Sequence, residues 1–190
     1  MKVSREQAAE HHRRIVGTAG RMFREKGFDG VGVADIMQGA GLTHGGFYGH
    51  FASKEELAAQ ACVEASKLDR WIELAKRSPN NPLAAIVRSY LSPRHRDDPG
   101  SGCVLAALGP ETARQRGGVR HAFTDGLRAR LDFLAGMLPG RSRAARRKKA
   151  LVTMSGLVGA LVLARAVDDP ALSSEILKAA AATFGAASPD

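Results

Sequence analysis

Cysteine is scarce in this chain of 190 residues, and its two copies, Cys62 and Cys103, stand far apart. No Cys-x-x-Cys spacing occurs, so neither a disulfide framework nor a common zinc site is indicated. The N-terminus lacks the apolar core of a secretory signal. The longest apolar run, residues 151–166, is broken by glycines and Arg165 and falls short of the about 20 residues that span a bilayer. We therefore expect a cytoplasmic protein without a membrane segment.

Recognisable catalytic spacings are also missing. The chain has no Gly-x-Ser-x-Gly elbow and no phosphate-binding loop. Its six histidines are scattered and show no spacing typical of a zinc site. These absences disfavour an enzyme, and we expect neither a metal nor a cofactor.

Aromatic residues make up only 5% of the chain, whereas apolar residues reach 44%, a balance typical of a helical protein rich in alanine and leucine. No segment shows a convincing strand pattern. Apolar spacing, together with breaks at proline and glycine, predicts an all-α fold of about nine helices. We place them at residues 5–26, 33–39, 43–49, 53–76, 82–92, 102–112, 117–138, 142–167 and 170–186.

The N-terminal segment has the pattern of a helix that ends in a defined turn. Ile15, Ala19 and Phe23 share one face of the first helix. Gly27 follows as the expected C-cap, and Phe28 is placed to fold back onto that helix.

Two shorter helices and a capped one follow. Ile36 and Met37 give the second helix an apolar face, and Gly41 suits a tight turn with positive φ. Thr43 is expected to cap the third helix, whose Phe47 and Phe51 lie one turn apart and point inward. Ser53 and Glu56 then form the pattern of a capping box. Short helices around a glycine turn are the layout of a helix-turn-helix unit.

The same residues resemble the N-terminal domain of the tetracycline-repressor (TetR) family of bacterial regulators, over roughly residues 8–57. The resemblance rests on Asp35-Ile36, Ala40-Gly41-Leu42-Thr43, Phe47-Tyr48-Gly49-His50-Phe51 and Ser53-Lys54-Glu55-Glu56-Leu57. It implies a helix-turn-helix DNA-binding domain at residues 1–53. It also implies a helical ligand-binding and dimerisation domain at residues 54–190.

Contacts to DNA divide into those that position the protein and those that read bases. Tyr48, His50 and Lys54 are the positioning candidates, because a phenol, an imidazole and an ammonium each donate to phosphate oxygens. Thr43, His44 and Gly45 stand at the N-terminal end of the third helix, the end that meets base edges. Each has an alternative structural role, such as a cap for Thr43, a half-buried packing position for Tyr48 and a turn contact for His50.

Three positions depart from the family pattern: Gly32, Gly49, where a larger side chain is frequent, and Ala34, which supplies no polar group. Gly32 stands where a threonine or serine commonly caps the second helix and touches phosphate. That contact is either lost or made by a backbone amide. Few side chains are therefore placed to read bases directly. We expect close approach of the protein backbone and the shape of the DNA to supply some of the specificity.

The resemblance implies an inducer pocket among the helices of the second domain. No charged cluster marks a cofactor there, so a small and mainly apolar molecule is expected. Each candidate taken singly also fits an ordinary core position. The candidate ligand-binding residues are Trp71, Tyr90, Cys103, Phe123, Phe133 and Met137.

Cys103 supports a second hypothesis, a regulator that senses oxidants or electrophiles through a thiol. It follows Gly102 and precedes an apolar helix, and a partly exposed thiol at a helix N-terminus is activated as thiolate. The alternative is a small buried hydrophobe. Cys62, inside a helix, lacks these features.

Residues 142–186 carry broad apolar stripes on the last two helices, which either close the core or pack against a second subunit. The resemblance implies a homodimer through these helices, and Leu161 and Ile176 are the expected contact positions. The basic run at 141–149 holds six of the chain's 28 lysines and arginines. It is interpreted either as a solvated surface or as a contact for phosphate or an acidic partner.

These features favour a ligand-responsive, sequence-specific transcriptional regulator, a repressor that a small molecule releases from double-stranded operator DNA. An enzyme and a nonspecific architectural DNA-binding protein are the other classes. The architectural class is disfavoured because it leaves the large apolar second domain without a role. The formal net charge of +9 agrees with a polyanionic partner but does not select among DNA-binding classes.

Overall fold

The computed structural model describes residues 4–186, and over that range it contains ten α-helices, one 3₁₀ helix and no strand. The predicted all-α fold is confirmed. The elements in chain order are α1 (Arg5–Lys26), α2 (Val33–Gly39), the 3₁₀ helix (His44–Gly49), α3 (Lys54–Ala65), α4 (Asp69–Arg77), α5 (Pro82–Tyr90), α6 (Pro93–Asp97), α7 (Val104–Thr112), α8 (Gly118–Met137), α9 (Arg143–Ala166) and α10 (Pro170–Gly185).

Two segments differ from the sequence prediction. The helix predicted at 53–76 is divided, because α3 ends at Ala65 and α4 begins at Asp69. No glycine or proline marks this break in the sequence. Residues 93–97 form the short helix α6 instead of an irregular connection. Its N-cap Ser92 accepts a hydrogen bond from the His95 backbone N–H at 3.2 Å, and Pro93 occupies the first turn, where a missing N–H costs nothing.

The chain forms two compact units. Unit 1 comprises Met1–Ser66 and Pro99–Gly126, and unit 2 comprises Lys67–Asp98 and Leu127–Asp190. These units are defined by packing and do not coincide with the functional boundary predicted after residue 53. The division into a DNA-binding domain at 1–53 and a second domain at 54–190 stays a prediction.

Unit 1 is built around α1, which packs against α2, α3 and α7. Ile15 and Phe23 on α1, Leu57 on α3 and Leu108 on α7 are buried almost completely. Each of these large apolar side chains contributes about 1.5–3 kcal/mol by leaving water. Unit 1 therefore holds its short helices by packing against one long helix.

Unit 2 consists mainly of α9 and α10, with α5 packed on α10, α4 on α5 and α6 on α9. Leu157 and Leu161 on α9 and Ile86 on α5 have no exposed surface. α9 and α10 approach each other closely at Gly156, where an added Cβ would lie 2.1 Å from the ring of Phe184. A glycine is required there because the aromatic ring occupies the space of a side chain.

Within residues 4–186, α9 is the one helix whose length and composition would suit a membrane span. A third of its most apolar stretch is buried. A helix that packs in the core of a soluble protein meets the same criterion. α9 packs against α10 and α6, and its apolar residues supply much of the core of unit 2.

Candidate nucleic-acid interface

Buried aromatic side chains hold the candidate interface in place. Phe47 is 1% exposed and Phe51 is 2% exposed, and their ring centroids lie 5.6 Å apart. Ile36 and Met37 of α2 are buried as well, and α2 packs against the 3₁₀ helix. The predicted inward direction of Phe47 and Phe51 is confirmed. These contacts fix the segment although its own helix propensity is poor.

The third helix of the motif is a 3₁₀ helix rather than the expected α-helix. Three of its six residues are glycine, each of which weakens an α-helix by about 1 kcal/mol relative to alanine. Thr43 occupies the predicted N-cap position, but its side chain does not make the capping hydrogen bond. Instead the Thr43 carbonyl oxygen accepts from the Gly46 N–H at 3.1 Å, which closes a tight turn of the 3₁₀ type.

The outer surface of this helix presents one large side chain between open stretches of backbone. Tyr48 is 72% exposed, and its ring meets Phe47 edge-on at 5.2 Å. Thr43, His44 and Gly45 are exposed beside it. A Cβ added at Gly45 would meet nothing within 4 Å, so another molecule can approach this backbone closely. The surface is thus shaped for contact with a partner rather than for packing.

His50 belongs to a cluster of three imidazoles that the sequence did not reveal. Its ring centroid lies 6.3 Å from that of His11 and 6.1 Å from that of His12. His12 in turn stacks on Phe51 at 4.6 Å, and its Nε2 lies 2.8 Å from Oε1 of Gln60. The only sequence signal was the His11-His12 pair, and its meeting with His50 depends on how α1 crosses the motif.

Burial lowers the pKa of His50 below its ordinary value, and the neighbouring imidazoles of His12 and His11 lower it further. His50 is therefore mostly neutral near pH 7. A neutral imidazole still donates one hydrogen bond to a phosphate oxygen. Among residues 4–186 no group of three or more His, Cys, Asp or Glu side chains is arranged to hold a metal ion.

Lys54 occupies the first turn of α3, where it is half-buried. Ser53 caps this helix by accepting from the Glu56 N–H at 3.1 Å, as predicted. The Glu56 carboxylate reaches one residue further back than a standard capping box, and accepts from the Ala52 N–H at 2.8 Å. Lys54 is thereby positioned beside backbone N–H groups that favour anions.

The turns around α2 confirm the prediction for Gly41 and show how the backbone of Gly32 is bonded. Gly41 has φ +67°, as its turn requires, and Arg14 donates to the neighbouring Ala40 carbonyl. Gly32 is the N-cap of α2, and its N–H donates to Oδ2 of Asp35 at 3.0 Å. The N–H of Gly32 therefore already has a partner within the protein, and a phosphate contact from a backbone amide at this position stays a prediction.

A side chain of α7 holds the junction between α1 and α2 in place. Gly27 ends α1 with φ 79° and ψ 169°, an extended conformation that only glycine adopts readily, and Phe28 packs back on Phe23 at 5.4 Å. Glu111 of α7 accepts from the Phe28 N–H at 2.7 Å through Oε2. This hydrogen bond joins α7 to the backbone directly after Gly27.

The candidate ligand-binding residues fall into two groups. In unit 2, Trp71 lies 6.2 Å from both Tyr90 and Phe133, measured between ring centroids. The buried guanidinium of Arg130, which the sequence did not single out, lies 5.9 Å from the centre of the Trp71 ring. Met137 lies at the end of α8.

Cys103 and Phe123 belong to unit 1. Cys103 is the N-cap of α7, close to the expected position, but it is only 8% exposed. The expectation of a partly exposed thiol is therefore wrong, because the residue is packed in the core. Burial also raises the pKa of the Cys62 thiol to about 11, so Cys62 stays protonated.

Comparison with known proteins supports this interpretation of the motif. Residues 15–61 match the family model described as bacterial regulatory proteins of the tetR family. The chain is 30% identical over 98 residues to the HTH-type transcriptional repressor DhaR of Mycobacterium sp. (strain GP1), covering 51% of this chain and 50% of DhaR. It is 46% identical over 43 residues to the HTH-type transcriptional repressor KstR2 of Mycobacterium tuberculosis, covering 23% of this chain and 22% of KstR2. The matches thus span half the length of these curated relatives or less.

Solved structures agree over nearly the whole chain. The reduced form of E. coli NemR superposes with a TM-score of 0.76 at 21% identity, covering 94% of this chain and 100% of that one. A TetR-family regulator from Agrobacterium tumefaciens gives a TM-score of 0.76 at 22% identity with the same coverage. At these identities the likeness establishes the fold. The family match assigns residues 15–61 to the helix-turn-helix domain of bacterial regulatory proteins of the tetR family.

Proposed function

We propose that this protein is a sequence-specific repressor of transcription that binds double-stranded operator DNA as a homodimer and is released by a small molecule. The carrying observation is the exposed Tyr48, presented on a rigid 3₁₀ helix beside the open backbone of Gly45. A cytoplasmic location accompanies this function. DhaR and KstR2 are named as transcriptional repressors, which supports the same role here.

Phosphate contacts and base contacts make different predictions for variants of this surface. Tyr48 and Lys54 are assigned to phosphates, so Tyr48→Phe and Lys54→Ala should weaken binding to operator and to unrelated DNA alike. Lys54→Ala should also lower the slope of log affinity against log salt concentration by about one for each protomer, which makes about two for the dimer. His44 and Thr43 are assigned to bases, so His44→Ala should reduce preference for the operator over unrelated DNA.

The test begins with a footprint on the DNA that flanks the gene of this protein, followed by titrations of the variants over a range of salt concentrations. Lys76→Ala is the matched control, because Lys76 is an exposed lysine of α4 that pairs with Glu73 at 3.4 Å. It should leave the affinity and the slope close to those of the wild type. A change of base preference in Lys54→Ala without loss of affinity would contradict the phosphate assignment. Equal affinity of the wild type for footprinted and random DNA would favour an architectural protein.

The homodimer is supported by apolar side chains that α9 leaves exposed. Val152 is 58% exposed, Leu163 is 57% exposed and Leu151 is 46% exposed. The sequence had proposed Leu161 as a contact residue, but Leu161 is fully buried in its own protomer and is not available to a partner. Exposed leucine and valine on one helix fit a surface covered by a second copy of that helix.

Leu163→Glu should therefore shift the protein from dimer to monomer in sedimentation velocity and weaken operator binding, because a dimer holds two half-sites at once. Val63→Glu is the matched control, since Val63 of α3 has the same exposed fraction of 57% but lies outside residues 142–186. It should leave the dimer intact. A wild-type protein that sediments as a monomer at micromolar concentration would refute the proposal.

For the inducer, we propose a site that includes Trp71, Tyr90 and Phe133. Arg130 lies beside the Trp71 ring, and small, mainly apolar compounds are the candidates. Trp71 is the chain's single tryptophan, and its fluorescence reports on this place alone. A compound that releases operator DNA should also change the fluorescence emission of Trp71. Phe133→Ala should alter the affinity for that compound, whether it is measured by DNA release or by Trp71 emission. Release of DNA with unchanged Trp71 emission would place the inducer elsewhere.

A further inference from the structure

The basic run at residues 141–149 lines a concave surface of unit 2. A space of about 800 Å³ lies between the second half of α8 and the first turns of α9. Arg128 of α8 and Arg143, Arg146 and Arg147 of α9 line it. The sequence had left this run as either a solvated surface or a contact for phosphate or an acidic partner, and the structure shows that part of it lines an open groove.

Positive charge dominates this concavity. Four arginines and one carboxylate, Asp132, line it, which leaves a formal excess of three positive charges. The single carboxylate is already engaged, because Oδ1 of Asp132 accepts from Nη1 of Arg147 at 2.7 Å. Lys148 and Lys149 follow directly in the sequence. A surface with this excess of positive charge raises the local concentration of anions.

The remaining lining residues are small and leave room for a ligand beside the arginines. Ala135, Gly136 and Ala144 are small, and a Cβ added at Gly136 would meet nothing within 4 Å. Arg143 and Ala144 belong to the first turn of α9, where the positive end of the helix dipole adds to the guanidinium charges. A volume of this size lies in the range of small-molecule sites.

We propose that this surface, defined by Arg128, Arg143, Arg146 and Arg147, binds a soluble anion with two or three linked phosphate groups. A guanidinium donates two parallel hydrogen bonds to one phosphate, so several arginines match a chain of phosphates better than a single one. The lining contains no aromatic side chain on which a nucleobase could stack. The site therefore recognises the phosphate chain and is indifferent to the base attached to it. This inference does not depend on the proposed regulatory function.

The test is isothermal titration calorimetry of the full chain at low ionic strength with inorganic tripolyphosphate, pyrophosphate and orthophosphate. Affinity should fall in that order and should decline as salt is added. ATP and GTP should bind with equal affinity, and adenosine should not bind. Arg143→Gln/Arg146→Gln should weaken tripolyphosphate binding about tenfold or more, because it removes two charged donors.

Arg88→Gln/Arg94→Gln is the matched control, since both residues are exposed arginines of unit 2 outside the concavity. It changes the net charge equally and should leave binding within about twofold of the wild type. If Arg143→Gln/Arg146→Gln fails to fold, the single variant Arg128→Gln, at an exposed position, carries the same test. Equal weakening in the control pair would show attraction to net charge alone and overturn the site. So would a polyglutamate peptide or duplex DNA that binds there while tripolyphosphate does not.

Discussion

Gly27→Ala tests whether α7 holds the junction that leads into the helix-turn-helix motif. Gly27 has φ 79° and ψ 169°, and an added Cβ would lie 2.6 Å and 2.8 Å from the two carboxylate oxygens of Glu111. The variant therefore meets two penalties, a backbone conformation that alanine avoids and a collision with a side chain that is hydrogen-bonded to Phe28.

The size of each penalty follows from these contacts. The backbone conformation costs about 1–3 kcal/mol for a residue other than glycine. Displacing the Glu111 carboxylate removes a charged hydrogen bond worth about 1.5–3 kcal/mol. Loss of chain entropy in the unfolded alanine variant returns about 0.4–1 kcal/mol. We expect Gly27→Ala to lower the free energy of unfolding by about 2–5 kcal/mol.

A double-mutant cycle separates the two penalties. Glu111→Ala alone should cost about 1.5–3 kcal/mol, and once it is present Gly27→Ala no longer displaces a hydrogen-bonded carboxylate. The double variant should therefore cost at least about 1.5 kcal/mol less than the sum of the single variants. Gly117→Ala is the matched control, because Gly117 has φ +60° but an added Cβ there meets nothing within 4 Å. It should cost about 1 kcal/mol and show no coupling to Glu111.

Urea unfolding at pH 7, followed by circular dichroism with the m-value checked for each variant, measures all of these differences. Additivity of Gly27→Ala and Glu111→Ala within about 0.5 kcal/mol would refute the contact between α7 and this junction. Equal costs for Gly27→Ala and Gly117→Ala would refute it as well.

Three further predictions concern buried groups. Burial lowers the pKa of His95 to about 4 from 6.5, so the unfolded chain binds a proton first as the pH falls. Stability present above pH 6.5 should therefore decline by about 3 kcal/mol as the pH falls towards 4, and in urea unfolding this decline should be smaller in His95→Gln. Because burial raises the pKa of the Cys62 thiol to about 11, its alkylation in the native protein should be far slower than in urea. Comparable alkylation rates in the two conditions, measured by mass spectrometry, would show that the thiol is accessible. Gly156→Ala should lower the melting temperature because its Cβ meets Phe184 at 2.1 Å, whereas Gly17→Ala, with nothing within 4 Å, should raise it slightly; the opposite order would contradict the packing of α9 on α10.

The helix-turn-helix motif could be predicted from the sequence because its signals are local. The turn at Gly41, the cap at Ser53 and the inward pair Phe47 and Phe51 each depend on residues within one or two helical turns. The candidate DNA contacts Tyr48 and His44 followed from the same short segment, and both are exposed. Short-range rules also predicted most helix ends to within two residues.

Tertiary structure decided whatever depends on residues distant in the chain. The meeting of His50 with His11 and His12, the hydrogen bond from Phe28 to Glu111 and the burial of Cys103 all arise from how α1 and α7 pack. No glycine or proline stands between α3 and α4, so local helix propensity could not predict that the helix is divided there. Sequence periodicity likewise identified an apolar stripe on α9 but not which leucines lie inside, because Leu161 and Leu163 differ in burial only through the helices that surround them. Local chemistry thus determined the helix-turn-helix motif, whereas packing determined which side chains remain available to act.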